Sequence, residues 1–143
     1  MSFLDSATEV VPAALHYLGK PAYSKNIAEK KATPVYPDAI ELLGNTTTDA
    51  ISLEYAQPKQ TPDLLERAGG KSVVLGVLDL DTEAAVESVD QIVDMAEAAV
   101  AVVGPDKLEL GSDCGMWFLP RDVCFAKISA MEQAAQVLRQ RHS

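Results

Sequence analysis

Polar side chains follow each of four segments that are rich in branched residues. They are His16, Glu54, the pair Asp79 and Asp81, and the run Ser112-Asp113-Cys114-Gly115. If these segments are parallel strands of one sheet, their carboxyl ends meet at one edge, which is where parallel β/α enzymes hold their sites. Because zinc binds imidazole, carboxylate and thiolate groups, His16, Glu54 and Cys114 predict a zinc site at that edge. An open fourth position on such an ion could hold a substrate thiolate with a lowered pKa.

The same edge also carries carboxylates that could act without a metal. Asp79, Asp81 and Asp113 are the candidate catalytic residues, with Glu54 and His16 beside them. Positioned carboxylates and imidazoles transfer protons in isomerisation and cyclisation reactions of small molecules. A plainer interpretation stays open as well, since Asp81 could simply belong to a helix cap and a single histidine is commonly only hydrogen-bonded.

Predicted strands and helices alternate along the chain and would position these residues. The segments that predict strands span residues 10–18, 50–55, 72–80 and 107–110. Helices are predicted at residues 37–43, between Thr61-Pro62 and Gly69-Gly70, after Ser88, and at residues 120–139. Residues 19–36 show no periodicity and are predicted to be a long loop. This alternation is typical of an α/β fold with a parallel sheet.

Apolar stripes predict the buried faces of the last two helices. The earlier stripe consists of Val86, Val89, Val93, Ala96, Val100 and Val103, and the later one of Cys124, Ile128, Met131, Ala135 and Leu138. Both stripes recur at the spacing of one helix face. Ser88 and Gln91 have the spacing of a capping box at the start of the earlier helix.

Composition limits the class of protein. The 143 residues predict a single domain over 1–143, and 12 basic against 21 acidic residues leave a net charge of −9, which disfavours nucleic acid and anionic membranes as partners. Two cysteines are too few for a disulfide framework, so we expect a cytoplasmic protein. No export signal and no run of about 18 apolar residues is found, so no membrane span is predicted.

Residues 71–138 contain a distinctive series of motifs. The series comprises the strand with Gly76 and Asp79, the Glu87-Ser88 helix start, the Asp113-Cys114-Gly115 strand end, and Leu119-Pro120-Arg121 leading to Ala126-Lys127. It resembles the last two β/α units of the catalytic domain of the cobalamin-independent methionine synthase family. The segment AISLEY at residues 50–55 is similar to the preceding strand of that family, and Leu15-His16 is similar to the strand that ends in a His-x-Cys motif.

The resemblance implies a methyltransferase-like barrel enzyme in which zinc activates a thiol for attack on a methyl or alkyl donor. Carried over by position, its zinc ligands would be His16, Glu54 and Cys114. Leu18 stands where the family has a cysteine ligand, and Asp81 stands where methionine synthases have a histidine.

The resemblance also implies a particular fold. A complete (β/α)8 barrel needs about 250 residues, so this chain would form half of one, with about four parallel strands and four helices. An open half exposes a sheet edge, which predicts completion by a homodimer or by a separate partner chain, or else a local rearrangement into a small open α/β sandwich. An accessory half-barrel without catalytic activity stays an alternative.

Overall fold

A computed structural model of the protein describes residues 36–81, 84–117 and 119–143. The predicted first strand, with His16 and Leu18, lies outside the described residues, as does the predicted loop apart from residue 36. The three other predicted strands fall within them.

Three parallel strands form the sheet of the described part. They are β1 (Ala50–Leu53), β2 (Ser72–Gly76) and β3 (Leu108–Gly111), in the order β1-β2-β3. Leu75 of β2 lies beside Leu53 on one side and Leu110 on the other. Val73 and Leu75 are completely buried, as expected for the middle strand of a covered parallel sheet. The predicted α/β fold with a parallel sheet is thus confirmed.

Three α-helices and two 3-10 helices connect and cover these strands within the described ranges. They are α1 (Tyr36–Gly44), a 3-10 helix (Pro62–Ala68), α2 (Val89–Val103), a 3-10 turn (Pro105–Lys107) and α3 (Arg121–Arg141). The capping box at the start of α2 is confirmed, because Ser88 Oγ accepts the Gln91 N–H and the Gln91 side chain accepts the Ser88 N–H. Gly69 ends the first 3-10 helix in the left-handed conformation, with φ of 63°, which a glycine adopts without strain.

The predicted strand at residues 72–80 ends early, at Gly76. The chain beyond it remains in the interior, since Val77, Leu78 and Leu80 are all buried. The Val77 N–H still donates to the Gly111 carbonyl at 2.9 Å. Burial of this apolar run therefore continues after the regular pairing of β2 has ended.

The stripe predicted for α2 is only partly correct. Val86 precedes the helix and is exposed, and Val100 and Val103 are half-buried. The buried residues of α2 are Ile92, Val93, Ala96 and Ala99. The buried face of α2 therefore includes Val93 and Ala96 of the predicted stripe but not Val86, Val100 or Val103.

The stripe predicted for α3 is shifted in the same way. The buried residues are Lys127, Ala130, Ala134 and Leu138, whereas Ile128 is 45% exposed. Lys127 lies in the interior, where it forms an ion pair. The buried face of α3 therefore includes this lysine and differs from the predicted apolar stripe. Ile128, Met131, Ala135 and Leu138 instead border a groove beside β3.

Helices long and apolar enough to cross a bilayer are not found among the described residues.

Candidate functional site

The carboxyl ends of the three parallel strands lie at one edge of the sheet. Glu54 follows the last residue of β1 directly, and Ser112, Asp113 and Cys114 follow β3. Glu54 and Cys114 are half-buried there, on the two strands that flank β2. The structure therefore brings the segments of two predicted zinc ligands to the same edge.

Asp113 connects these two segments directly. Its Oδ1 accepts the N–H groups of Tyr55 at 2.9 Å and Ala56 at 3.1 Å, and its Oδ2 accepts the N–H of Gln57 at 2.7 Å. Residues 55–57 follow Glu54 immediately. The side chain of Asp113, the residue before Cys114, is therefore hydrogen-bonded to the main chain that follows Glu54.

Burial has a strong electrostatic effect on the Asp113 carboxyl. Desolvation raises the pKa of Asp113 to about 7, the three backbone N–H bonds oppose that rise, and the nearby charge of Glu54 adds to it. The residue is only 6% exposed. Both of its oxygens face backbone donors, and its predicted catalytic role stays a prediction.

Tyr36 is a neighbour of this edge that the sequence did not indicate. Its hydroxyl donates to the backbone carbonyl of Glu54 at 3.3 Å. Burial raises the pKa of Tyr36 well above its usual range, and the charge of Glu54 raises it further. No local motif marks this tyrosine, because its partner lies 18 residues away in the sequence.

Asp79 and Asp81 lie in the segment that leads from β2 to α2. The Asp79 carboxylate accepts the Asp81 N–H at 2.9 Å, and the Asp79 N–H donates to Glu87 Oε1 at 2.8 Å. Both aspartates are half-buried. The structure thus places them in one hydrogen-bonded turn, and their predicted catalytic roles stay predictions.

A buried ion pair supports that turn. Lys127 Nζ lies 2.9 Å from each carboxylate oxygen of Glu87 and 3.0 Å from the carbonyl of Ala85. Glu87 and Lys127 belong to the motifs that carried the family resemblance, but no role was predicted for them. Each is a charged residue at a helix, and the sequence alone does not reveal that packing brings the two together.

The two cysteines lie in different elements. Cys114 lies in the loop after β3, and its carbonyl accepts the hydroxyl of Ser112 at 2.7 Å. Cys124 lies on α3, and its thiol donates to the Met116 carbonyl at 3.3 Å. Neither cysteine forms a disulfide.

The donor types at this edge suit zinc, but the described residues supply too few of them. A carboxylate from Glu54 and a thiolate from Cys114 are ordinary zinc ligands. No group of three or more metal-binding side chains occurs among residues 36–81, 84–117 and 119–143. The third predicted ligand, His16, lies outside these ranges, so zinc binding stays a prediction.

The parallel sheet and the polar edge at its carboxyl ends are typical of the β/α class of folds, which hold their sites at this end of the strands. Comparison with protein families is more specific, since residues 21–137 match the catalytic domain of the cobalamin-independent synthases. The chain belongs to this family, and the resemblance seen in the sequence is confirmed.

Individual relatives agree with this assignment. The methionine synthase of Methanothermobacter marburgensis is 38% identical over 89 residues, which cover 61% of this chain and 28% of that protein. The methionine synthase of Pyrococcus abyssi is 30% identical over 89 residues, or 62% of this chain and 26% of that protein. The chain spans less than a third of the length of these relatives.

A solved structure confirms the partial TIM-type barrel. The B12-independent methionine synthase from Shewanella sp. W3-18-1, in complex with selenomethionine, superposes with a TM-score of 0.62 at 29% identity. The superposition covers 75% of this chain and 30% of that one. The three parallel strands therefore correspond to part of a barrel.

Proposed function

We propose that the protein takes part in zinc-assisted transfer of a methyl or alkyl group to a thiol. Membership of the cobalamin-independent synthase family supports this reaction class. The observation that carries the proposal is the Asp113 bridge, because it joins the segments of Glu54 and Cys114, two residues of zinc-ligand type. His16 is the proposed third ligand, and Leu18 leaves the set one cysteine short of the family pattern.

When bound, zinc would lower the pKa of a coordinated thiol and so raise its nucleophilicity at neutral pH. The thiolate sulfur would attack the methyl carbon, forming the carbon–sulfur bond while the bond to the donor breaks and its electron pair leaves with the donor. Glu54 and Cys114 would serve as ligands at the edge of the sheet. We propose that Asp79 and Asp81, in the turn that follows β2, exchange protons with the leaving group or the thiol.

Metal content measured on protein purified without chelator tests this proposal. We expect about one zinc per site in the wild type and a loss of at least about tenfold in zinc affinity for Glu54→Gln and Cys114→Ser. Cys124→Ser is the matched control and should leave zinc binding unchanged, because Cys124 lies on α3 and its thiol donates to the main-chain carbonyls of Met116 and Leu119. Less than about a tenth of an equivalent of zinc in the wild type would refute metal chemistry.

A second candidate function is acid/base catalysis on a small molecule without a metal. The turn that holds the Asp79 and Asp81 carboxylates at the sheet edge favours it. Here Asp79→Asn and Asp81→Asn should lower kcat at least about a hundredfold, whereas Asp90→Asn on α2 should not. Activity that survives a chelator would support this candidate over the zinc reaction.

We also propose that a second copy of the chain completes the barrel at β3. Among the described strands, β3 pairs only with β2, so no described strand covers its other edge. Beside that edge lies a groove of about 710 Å³ between β3 and α3, bordered by Leu108, Leu110, Ile128 and Met131. An open strand edge beside apolar side chains favours pairing with another chain.

Light scattering tests the second copy directly. Ile128→Lys should convert a dimer into monomers, because it places a charge in the groove. Leu42→Lys, at an exposed leucine of α1, is the control and should leave the dimer intact. A wild-type protein that is monomeric at all concentrations would refute this part of the proposal.

A further inference from the structure

The Asp113 side chain reaches across the middle strand of the sheet. Asp113 follows β3, whereas the amides that it binds follow β1, and β2 lies between the two. Neighbouring strands are about 4.8 Å apart, so the two outer strands are separated by roughly 10 Å. The contact therefore requires that the end of β2 leave room for a carboxylate.

Gly76, the last residue of β2, provides that room. A Cβ atom at this position would overlap Asp113 Oδ1, and it would lie 2.7 Å from the Leu53 carbonyl oxygen and 2.8 Å from the Asp113 Cα. Real Cβ atoms do not approach other atoms so closely. The Gly76 carbonyl also accepts the Ala56 N–H at 2.9 Å, so β2 touches the same loop.

Three consecutive main-chain N–H groups donate to the Asp113 carboxylate. On both sides of this contact, the neighbouring residue in the sequence is a candidate zinc ligand. Tyr55, the first of the three, comes directly after Glu54, and Cys114 comes directly after Asp113. These three hydrogen bonds hold the loop after β1 to the loop after β3. Rotation of either loop away from the sheet edge would break them.

We propose that Asp113 is a positioning residue that sets the spacing between Glu54 and Cys114 by holding the β1 loop across Gly76. This inference rests on the proposed function, because the spacing matters only if both residues bind the same ion. Side chains that orient metal ligands without touching the metal change its affinity strongly when they are replaced. Both Asp113 oxygens accept main-chain N–H groups, so Asp113 would not itself serve as a ligand.

Amide hydrogen exchange of residues 55–57 tests the clamp without any metal. Asp113→Ala removes all three carboxylate contacts, and we expect the amides of Tyr55 and Gln57 to exchange about 10- to 100-fold faster. The change at Ala56 should be smaller, because its N–H keeps the Gly76 carbonyl as an acceptor. Asp113→Asn keeps one acceptor oxygen, so the amide of either Tyr55 or Gln57 should remain slow. Acceleration at 55–57 that is below about twofold, or no larger than in α2, would overturn the clamp.

Cobalt(II), used as a spectroscopic probe of the site, tests the link to metal binding. Asp113→Asn should weaken cobalt binding by about 10- to 100-fold while the thiolate-to-cobalt absorption of the saturated protein persists, since the ligands are intact. Lys107→Met is the control, because it removes only an exposed contact to the Gly70 carbonyl and should leave the cobalt affinity within about threefold. Unchanged affinity in Asp113→Asn would overturn the positioning role.

The two proposals can fail separately. If the wild type binds neither zinc nor cobalt, the zinc function fails and with it the positioning role, whereas slow exchange at residues 55–57 would still report the clamp as a structural contact. If the wild type binds cobalt and Asp113→Asn binds it equally well, only the positioning role fails.

Discussion

The buried pair of Lys127 and Glu87 makes a quantitative prediction about stability. Lys127 has no exposed surface, and the Glu87 side chain is 12% exposed. Lys127 Nζ lies within 3.0 Å of three acceptor oxygens, two of them on Glu87. Glu87 Oε1 also accepts the Asp79 N–H, so the pair connects α3 to the turn beyond β2.

Lys127→Met replaces the ammonium group with an apolar side chain of similar length. The substitution leaves the Glu87 carboxylate buried without its ion-pair partner, and breaking such a pair costs about 3–5 kcal/mol. At about 3 °C per kcal/mol for a chain of this size, Tm should fall by roughly 10–15 °C. Urea denaturation followed by circular dichroism measures the loss in the free energy of unfolding.

Two further variants, Glu87→Gln and its combination with Lys127→Met, show whether charge or packing is responsible. In the double variant Lys127→Met with Glu87→Gln, the carboxylate is gone and the glutamine can still accept the Asp79 N–H. We therefore expect the double variant to be more stable than Lys127→Met alone, by about 1–3 kcal/mol. Additive losses would mean that the two charges do not interact.

Lys107→Met is the matched control. Lys107 also donates to a backbone carbonyl, that of Gly70 at 2.7 Å, but the contact is exposed. Its replacement should change the free energy of unfolding by less than about 0.5 kcal/mol. A loss below about 1 kcal/mol for Lys127→Met would refute the conclusion that the pair is buried and structurally required.

Three further predictions concern other contacts. Gly76→Ala should destabilise the protein by about 1–3 kcal/mol or more in urea denaturation, because the new methyl group overlaps Asp113, and a neutral result would contradict the close approach. Ser88→Ala should cost about 1 kcal/mol by the same assay through loss of the α2 cap, and no loss would mean that the cap is dispensable. A hydrogen bond from His142 lowers the pKa of Glu97 below its ordinary 4.5. Because the folded-state pKa is the lower one, this stabilisation is present above pH 4.5 and is lost as the pH falls through the folded value. NMR titration of His142→Gln should show a higher pKa for Glu97, and an unchanged pKa would refute the role of His142.

Local signals account for the secondary structure that could be predicted. The Ser88–Gln91 capping box joins residues three apart, and Gly69 ends its helix through its own backbone freedom. The short branched segments correspond to β1, β2 and β3, although the second of them was predicted to continue four residues too far. The motifs around Gly76 and Cys114 also sufficed to indicate the family, which the family comparison confirmed.

The sequence by itself therefore determined the α/β class, the order of its elements and the segments that meet at one edge of the sheet. Only the tertiary structure showed that Asp113 binds amides 56 to 58 residues away and that Lys127 is buried. Caps and turns depend on neighbours within a few residues, so their residue types reveal them. A buried carboxylate or lysine depends instead on partners brought close by packing, and its residue type alone indicates a solvent-exposed position.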